Sequence, residues 1–415
     1  MRKTKSVLLY LIAFFLIGFI SSCNNDALDV QEEAQIVPTL KGTVLKSATD
    51  RMGKFNYFRA KVDAGEDISR ELYDYAMDME IPNVINTPDY EFMRNQILGT
   101  ILNPDDYNCN NSTIPLNDYV NNSISQWTDL DYIYYVFYSY HPQADAIYFK
   151  EPGYKKYKYG VNGEFTNQLN RTFKDLKRFW NINSSDIYMV PLSGSTYLNF
   201  DRLVEIEALY YPSQSDEENE FYAQFVQDLF GTETYWNYNH PLFSFNAFAL
   251  STTNSFIQDR IVMGDGILMG YAAIGLDDVA PQAILAHEFG HHIQFENGYF
   301  IDVAEEDQPE ATRRTELMAD AFAAYYLTHK RGATMNWKRV EQFLEVFYNI
   351  GDCGFDNPGH HGTYEQRLAA AKWGRDLASN SWPKGKILTS EVFYQLFEAT
   401  LDDIVNCDNC LTEME

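Results

Sequence analysis

The chain has 415 residues, of which 45% are hydrophobic and 15% are aromatic. This apolar content is enough for a large core and excludes a disordered polymer. Asp and Glu together number 59 against 32 for Lys and Arg, which gives a formal net charge of -27. A surface of that sign repels phosphate backbones at long range, so no nucleic acid partner is expected.

The first residues have the layout of an export signal. Three basic residues precede an apolar run from Val7 to Ile20, whose 14 residues are followed by Ser21-Ser22-Cys23. A helix needs roughly 20 residues to cross a bilayer, so we predict a signal peptide over residues 1–22 that is removed. The end of the run resembles the lipobox of bacterial lipoproteins. This resemblance implies that lipid on Cys23 anchors an exported protein, periplasmic or surface-exposed, to a membrane of the cell envelope. An ordinary signal peptide or a plain membrane anchor is the alternative.

Four cysteines remain if Cys23 carries lipid, which is an even number in a compartment where disulfides can form. A zinc ribbon needs two Cys-x-x-Cys pairs, and the sequence has only one. Structural disulfides are therefore predicted, with the pairing left open, among Cys109, Cys353, Cys407 and Cys410.

Three further segments follow the signal. Residues 23–50 are polar and acidic without sustained periodicity, which predicts a flexible tether. Residues 51–110 predict a helical extension, with helices expected over Arg70–Met79 and Asp89–Leu102. The main folded domain is expected over residues 111–415.

The main domain begins with alternating strand-like and helix-like stretches. Tyr132–Tyr140 is dense in aromatic and β-branched residues, which predicts a core strand. Apolar periodicity predicts helices over Thr166–Asn181 and Glu217–Leu229. Further strands are predicted over Asp186–Leu192, Asn246–Leu250 and Arg260–Met263, and everything after Pro281 reads as helical.

The most specific chemical pattern is the sequence His-Glu-Phe-Gly-His from His287 to His291. On a helix these two histidines leave the same face, where both can bind one Zn²⁺. Glu288 is offset by one position, so we expect it to act as the general base for water made acidic by the metal. A solvated helix face is the alternative, but Ile284 and Ile293 favour a buried helix, in which imidazoles need partners.

A third ligand is available on the next long helix, where Glu316 and Asp320 also lie four residues apart. This spacing allows Glu316 to bind the metal while Asp320 accepts the other N–H of a histidine ligand. A solvated acidic face is the alternative. Apolar neighbours such as Leu317 and Phe322 favour a buried pair instead.

Four segments, in this order, resemble the neutral zinc metallopeptidases of bacteria. They are His287-Glu288-Phe289-Gly290-His291-His292-Ile293-Gln294, Glu316-Leu317-Met318-Ala319-Asp320-Ala321-Phe322-Ala323, Ile350-Gly351-Asp352 and His361-Gly362-Thr363-Tyr364-Glu365-Gln366-Arg367. The resemblance covers about residues 281–380 only. It implies an α+β, zincin-like fold of the gluzincin type over residues 111–415, with zinc held between a sheet-bearing N-terminal half and a helical C-terminal half.

The sequence also departs from the family pattern. Tyr364 replaces the usual Ser, and Ala321 and Ala324 replace the usual Cys and Gly, which puts packing and substrate preference in doubt but removes no ligand. His361 is a catalytic candidate, because an imidazole can stabilise the oxyanion of a tetrahedral intermediate. Capping the helix that is expected from Tyr364 is the alternative role for His361.

These patterns predict a zinc-dependent hydrolase of peptide bonds in a peptide or protein substrate, with water as the nucleophile and zinc as the cofactor. Two alternatives remain. One is a non-catalytic lipoprotein with a degenerate peptidase fold that binds a ligand or glycan, against which the intact Glu288 argues. The other is a zinc hydrolase of amide bonds in cell-wall material, which the sequence does not separate from a peptidase.

Overall fold

The computed structural model describes residues 48–77, 97–103, 115–153, 156–251, 258–301, 304, 307–349, 362–380 and 383–406. These residues belong to one compact unit, Leu40–Glu415. The predicted signal peptide and most of the predicted tether lie outside the described residues, as do Cys23, His361 and the other four cysteines. Among the described helices, none is both long enough and apolar enough to span a membrane.

Helices make up most of the described chain. In order they are α1 (Ala48–Asp63), α2 (Ser69–Met77), α3 (Pro115–Ser123), α4 (Asp129–Tyr138), α5 (His141–Ala144), α6 (Thr166–Phe179), α7 (Phe200–Tyr210), α8 (Asp216–Phe230), α9 (Asp265–Ala273), α10 (Ala280–Asn297), α11 (Gln308–Thr328), α12 (Trp337–Asn349), α13 (Tyr364–Asn380), α14 (Ser390–Glu398) and α15 (Leu401–Val405). Residues 97–102 are helical as well. A π-helical turn over Asp145–Phe149 and short 3₁₀ turns complete the helical part.

Within the described residues, the sheet is small and mixed, with three strands in the order β1-β3-β2. Strands β1 (Tyr188–Leu192) and β3 (Arg260–Gly264) are parallel, and β2 (Ala247–Leu250) runs antiparallel to β3 at an edge. Nearly every strand residue is buried, which explains why these segments read as continuous apolar runs. A largely helical chain with one such sheet is consistent with the expected α+β class, and the three strands lie where the sequence predicts them.

The predicted strand over Tyr132–Tyr140 is wrong, because this segment forms most of helix α4. The helix begins with a local signal, in which the Asp131 carboxylate accepts a hydrogen bond of 2.7 Å from the Thr128 backbone N–H. Aromatic residues are common in strands, but this preference depends on how their side chains pack against neighbouring residues. Here Phe137 and Tyr138 pack instead against Phe55 of α1, with ring centroids 5.8 and 6.1 Å apart.

The helix predicted over Arg70–Met79 is present as α2. Tyr75 of this helix stacks on Phe137 of α4 at 5.0 Å between ring centroids, and Phe58 of α1 packs on the same ring. Aromatic side chains of α1 and α2 therefore share one core with the main domain. Of the helix predicted over Asp89–Leu102, the described residues include the helical residues 97–102.

Two close helix contacts position the C-terminal half. Helix α10 packs on β2 and crosses α11, and a Cβ at Gly290 would lie only 3.1 Å from the Ala319 Cα. Helix α13 packs on the other side of α11, where a Cβ at Gly374 would lie 2.3 Å from the Ala321 carbonyl oxygen. Glycine is needed at Gly374, because a side chain there would push the helix backbones apart, whereas a Cβ at Gly290 would require Ala319 to shift by a few tenths of an ångström.

Candidate metal centre

Three buried side chains converge where α10 and α11 cross. The Nε2 atoms of His287 and His291 are 3.2 Å apart. Glu316 lies across from them, with Oε2 at 3.3 Å from His287 Nε2 and Oε1 at 3.5 Å from His291 Nε2. These side chains are 3% exposed or less. All three offer donor atoms within 4.8 Å of one another, so the group could hold a metal ion.

The spacing of the donors can be tested against zinc coordination. Zinc binds imidazole nitrogen and carboxylate oxygen at about 2.0 to 2.2 Å, so tetrahedral geometry places neighbouring donor atoms about 3.3 Å apart. The two Nε2 atoms are 3.2 Å apart, and the N–O distances of 3.3 and 3.5 Å run to different oxygens of Glu316; with one atom per residue, the donors lie within 4.8 Å of one another. Two histidines and a glutamate are also a donor set of catalytic zinc sites, which leave the remaining position for water or substrate. The residues therefore fit a zinc ion.

His287 is oriented by a carboxylate behind it. Its Nδ1 lies 2.9 Å from Asp320 Oδ1, the contact for which the sequence proposed Asp320. Arg367 of α13 donates to both oxygens of Asp320, from Nε at 2.8 Å and from Nη2 at 3.0 Å. Burial alone would raise the pKa of Asp320. The charge of Arg367 and the hydrogen bonds from His287 and Arg367 outweigh burial and hold that pKa below its usual value. An ionised Asp320 can only accept, so His287 carries its proton on Nδ1.

His291 is oriented by an amide on its own helix. Its Nδ1 lies 2.9 Å from Gln294 Oε1, and the Gln294 amide nitrogen donates a 2.7 Å hydrogen bond to the Thr315 carbonyl of α11. Because the nitrogen end of the amide faces a carbonyl, its oxygen end must face the imidazole. His291 therefore donates from Nδ1, and both histidines turn the lone pair of Nε2 towards Glu316.

The charges of the centre are unbalanced. Glu288, Glu316 and Asp320 are all at most 2% exposed, and Arg367 is the cation in contact with Glu316 and Asp320. Among the described residues, three buried carboxyl groups thus lie near one guanidinium that contacts two of them. Buried charge is costly unless it is compensated. A divalent cation between the histidines and Glu316 would neutralise the group.

The next histidine along α10 is not part of this group. His292 is fully buried and turns away from the donors, with its Nε2 at 3.1 Å from the Arg260 carbonyl oxygen of β3. Burial lowers the pKa of His292 to about 3, so this ring is neutral at ordinary pH. Its role is to join the helix to the sheet.

The structure thus brings together His287, His291, Glu316 and Asp320, the residues that the sequence proposed as ligands and as their support, and it buries Glu288 beside them on α10. It also gives contacts to Gln294 and Arg367, to which the sequence assigned no role. The position of Gln294, three residues after His291 and hence on the same helix face, was the available signal. Arg367 lies in the last of the four segments that resemble the family, but spacing could not indicate its partner, because Asp320 lies on another helix.

Comparison of the chain with protein-family models, with curated proteins and with solved structures finds no match. The functional argument therefore depends on the motifs in the sequence and on the geometry of the centre.

Proposed function

We propose that this protein is a zinc-dependent peptidase with a zincin-like fold, in which His287, His291 and Glu316 bind the metal and Glu288 is the general base. One observation carries the proposal: two helices bring two buried imidazole nitrogens to 3.2 Å from each other and to 3.3 and 3.5 Å from the two oxygens of one buried carboxylate. The alternative of a solvated polar face does not agree with side chains that are 3% exposed or less.

The donor set favours zinc over other common divalent cations. Calcium and magnesium prefer shells made of oxygen, whereas imidazole nitrogens suit zinc and its neighbours among the transition metals. The buried carboxyl groups of Glu288, Glu316 and Asp320 agree with a site for a cation. A small, polarising ion held by two neutral imidazoles and one carboxylate keeps part of its positive charge for the reaction.

When bound, zinc would supply Lewis acidity, which lowers the pKa of water and polarises a carbonyl group. The carboxylate of Glu288 would accept a proton from the attacking water and later deliver it to the leaving amine. Asp320 would hold the ring of His287 in place while these protons move. Water is the nucleophile in this scheme, so no covalent intermediate with the chain is expected.

The place of action is part of the proposal. Because the apolar run ends at Cys23, we propose an exported enzyme that a lipid on this cysteine anchors to the cell envelope. Replacing Cys23 with Ala should release the protein from membranes or block its processing, as measured by fractionation and by the mass of the N-terminal peptide. A full-length Cys23→Ala protein that stays bound to membranes would identify a plain anchor instead.

The activity is tested by measuring bound metal together with hydrolysis. Purified protein should contain one zinc ion per chain and should cleave unfolded casein until a zinc chelator is added, and Glu288→Gln should bind zinc without cleaving. Absence of zinc would overturn the proposal. Zinc with cleavage of purified cell wall but not of casein would indicate the amide hydrolase, and zinc without either activity would indicate a non-catalytic binding protein.

A further inference from the structure

We propose that Gln294 and Arg367 are positioning residues, which keep both imidazoles of the metal centre protonated on Nδ1. The effect on zinc binding rests on the proposed function. The tautomer itself is a property of the chain with or without metal. Gln294 contacts His291, and Arg367 contacts Asp320 and Glu316, so each would act through another side chain.

Gln294 acts on His291. Its side chain is 1% exposed and uses both ends of the amide, accepting from the ring at 2.9 Å and donating to the Thr315 carbonyl at 2.7 Å. Thr315 directly precedes Glu316 in the chain. The amide of Gln294 therefore connects one proposed ligand to the backbone that carries another, and the two must move together.

Arg367 acts on His287 through Asp320. Its planar guanidinium is buried and holds both oxygens of Asp320, while its Nη2 also lies 3.7 Å from Glu316 Oε2. Such a two-point contact fixes the plane of a carboxylate, which a lysine cannot do. Because Arg367 belongs to α13, the orientation of His287 depends on three helices.

Removing the Gln294 contact would free the ring of His291, and removing the Arg367 contact would free the Asp320 carboxylate that orients the ring of His287. A neutral imidazole carries one proton and can carry it on either nitrogen, and a hydrogen bond to Nδ1 decides which. With the proton on Nε2, the ring would turn an N–H towards the other donors and could not bind a metal. The usual loss of metal affinity on removing such a support is about 10- to 100-fold.

The test compares variants that differ in one contact. Gln294→Met removes both hydrogen bonds at nearly constant volume, and Gln294→Glu restores an oxygen acceptor for the ring. Arg367→Met removes the contact with Asp320, and Arg367→Lys keeps only the charge. Matched controls are Gln282→Met on α10, which loses hydrogen bonds to Thr172 and Asp278, and Arg375→Met on α13, which loses a contact with Asp376.

Three quantities are measured on the full chain: zinc affinity by competition with a chelator, the melting temperature of the metal-free protein, and the protonated ring nitrogen of each histidine by ¹⁵N NMR. We expect Nδ1–H on His287 and His291 in the unsubstituted protein. Gln294→Met and Arg367→Met should each bind zinc about 10- to 100-fold more weakly. Gln294→Glu should recover affinity, Arg367→Lys should not, and the controls should match the unsubstituted protein.

Unchanged zinc affinity in Gln294→Met and Arg367→Met, with only a lower melting temperature, would overturn the proposal in favour of a merely structural role. If these variants do not fold, the spectrum of the unsubstituted protein decides, because a proton on Nε2 of either ring would also overturn it. A chain with the expected tautomers that hydrolyses nothing would refute the proposed function and leave this inference intact. An active peptidase whose zinc affinity responds to none of the substitutions would support the proposed function and refute this inference.

Discussion

Two matched substitutions separate the roles of two buried glutamates. Glu288 and Glu316 are 2% and 0% exposed, so a change of either to Gln replaces one buried carboxyl group with an amide at nearly constant volume. Glu316 lies 3.3 and 3.5 Å from the imidazole nitrogens, whereas Glu288 is not one of the three grouped donors. We therefore expect Glu316→Gln to lose zinc, and Glu288→Gln to keep zinc and lose turnover by about 10²- to 10⁴-fold.

The stability change can be estimated from linkage. Zinc at 100 times its Kd stabilises the folded state by about 2.7 kcal/mol when it binds only that state. The folded unit is Leu40–Glu415, for which average specific values give an unfolding entropy of about 0.8 kcal/mol/K. Dividing the two quantities gives a rise in melting temperature of about 3 °C when zinc is added. This rise should be present in Glu288→Gln and absent in Glu316→Gln.

The assay is differential scanning calorimetry of metal-free protein with and without zinc, together with measurement of bound metal and of casein hydrolysis. Each variant serves as the control for the other, since both replace one buried carboxyl group with an amide. A zinc-dependent rise in Glu316→Gln and none in Glu288→Gln would refute the assignment, and the third ligand would have to be sought elsewhere.

Three further outcomes are expected. Asp320→Asn should weaken zinc binding or turnover by about 10- to 100-fold in a chelator competition or a casein assay. Unchanged values would refute the role of Asp320 in supporting His287. Burial lowers the pKa of His240 to about 4, so the unfolded chain binds more protons between that pH and about 6.5. This difference contributes about 3 kcal/mol to the free energy of unfolding. The contribution is complete above pH 6.5 and is lost as the pH falls to 4. The free energy of unfolding of His240→Gln in urea should lack this part of the pH dependence. Arg51→Met should destabilise the protein in urea unfolding by less than the roughly 3 to 5 kcal/mol of a stranded charge, because Glu207, which Arg51 contacts at 3.1 Å, keeps His141 at 2.9 Å and Tyr140 at 2.7 Å; adding Glu207→Gln should recover part of the loss.

The proposed ligands were accessible from sequence because their geometry is local. His287 and His291 share a helix, as do Glu316 and Asp320, and a spacing of four residues puts each pair on one face wherever the helix lies. What the spacing could not supply is that the two faces meet. Gly290 hints at this contact. A glycine weakens a helix interior, and the close approach of the α11 backbone explains its presence in the middle of α10.

Tertiary contacts decided what local patterns could not. The aromatic segment that became α4 has residues of high strand preference, yet its rings find their partners on α1 and α8, as in the contact of Tyr138 with Phe225 at 5.2 Å. Arg367 lies 47 positions after Asp320, so their ion pair depends on how α13 docks on α11. No periodicity within either helix encodes that docking.

The centre also has a structural consequence for the helices that build it. Gln294 ties α10 to α11 through the Thr315 carbonyl, and Arg367 ties α11 to α13 through Asp320. A metal held by His287, His291 and Glu316 would add a second link between α10 and α11, at the point where Gly290 lets them approach. Without a cation, the unshared electron pairs of two nitrogens 3.2 Å apart and a nearby carboxylate repel one another. A bound cation would replace this repulsion with attraction, so we expect metal binding to stabilise the contact between α10 and α11.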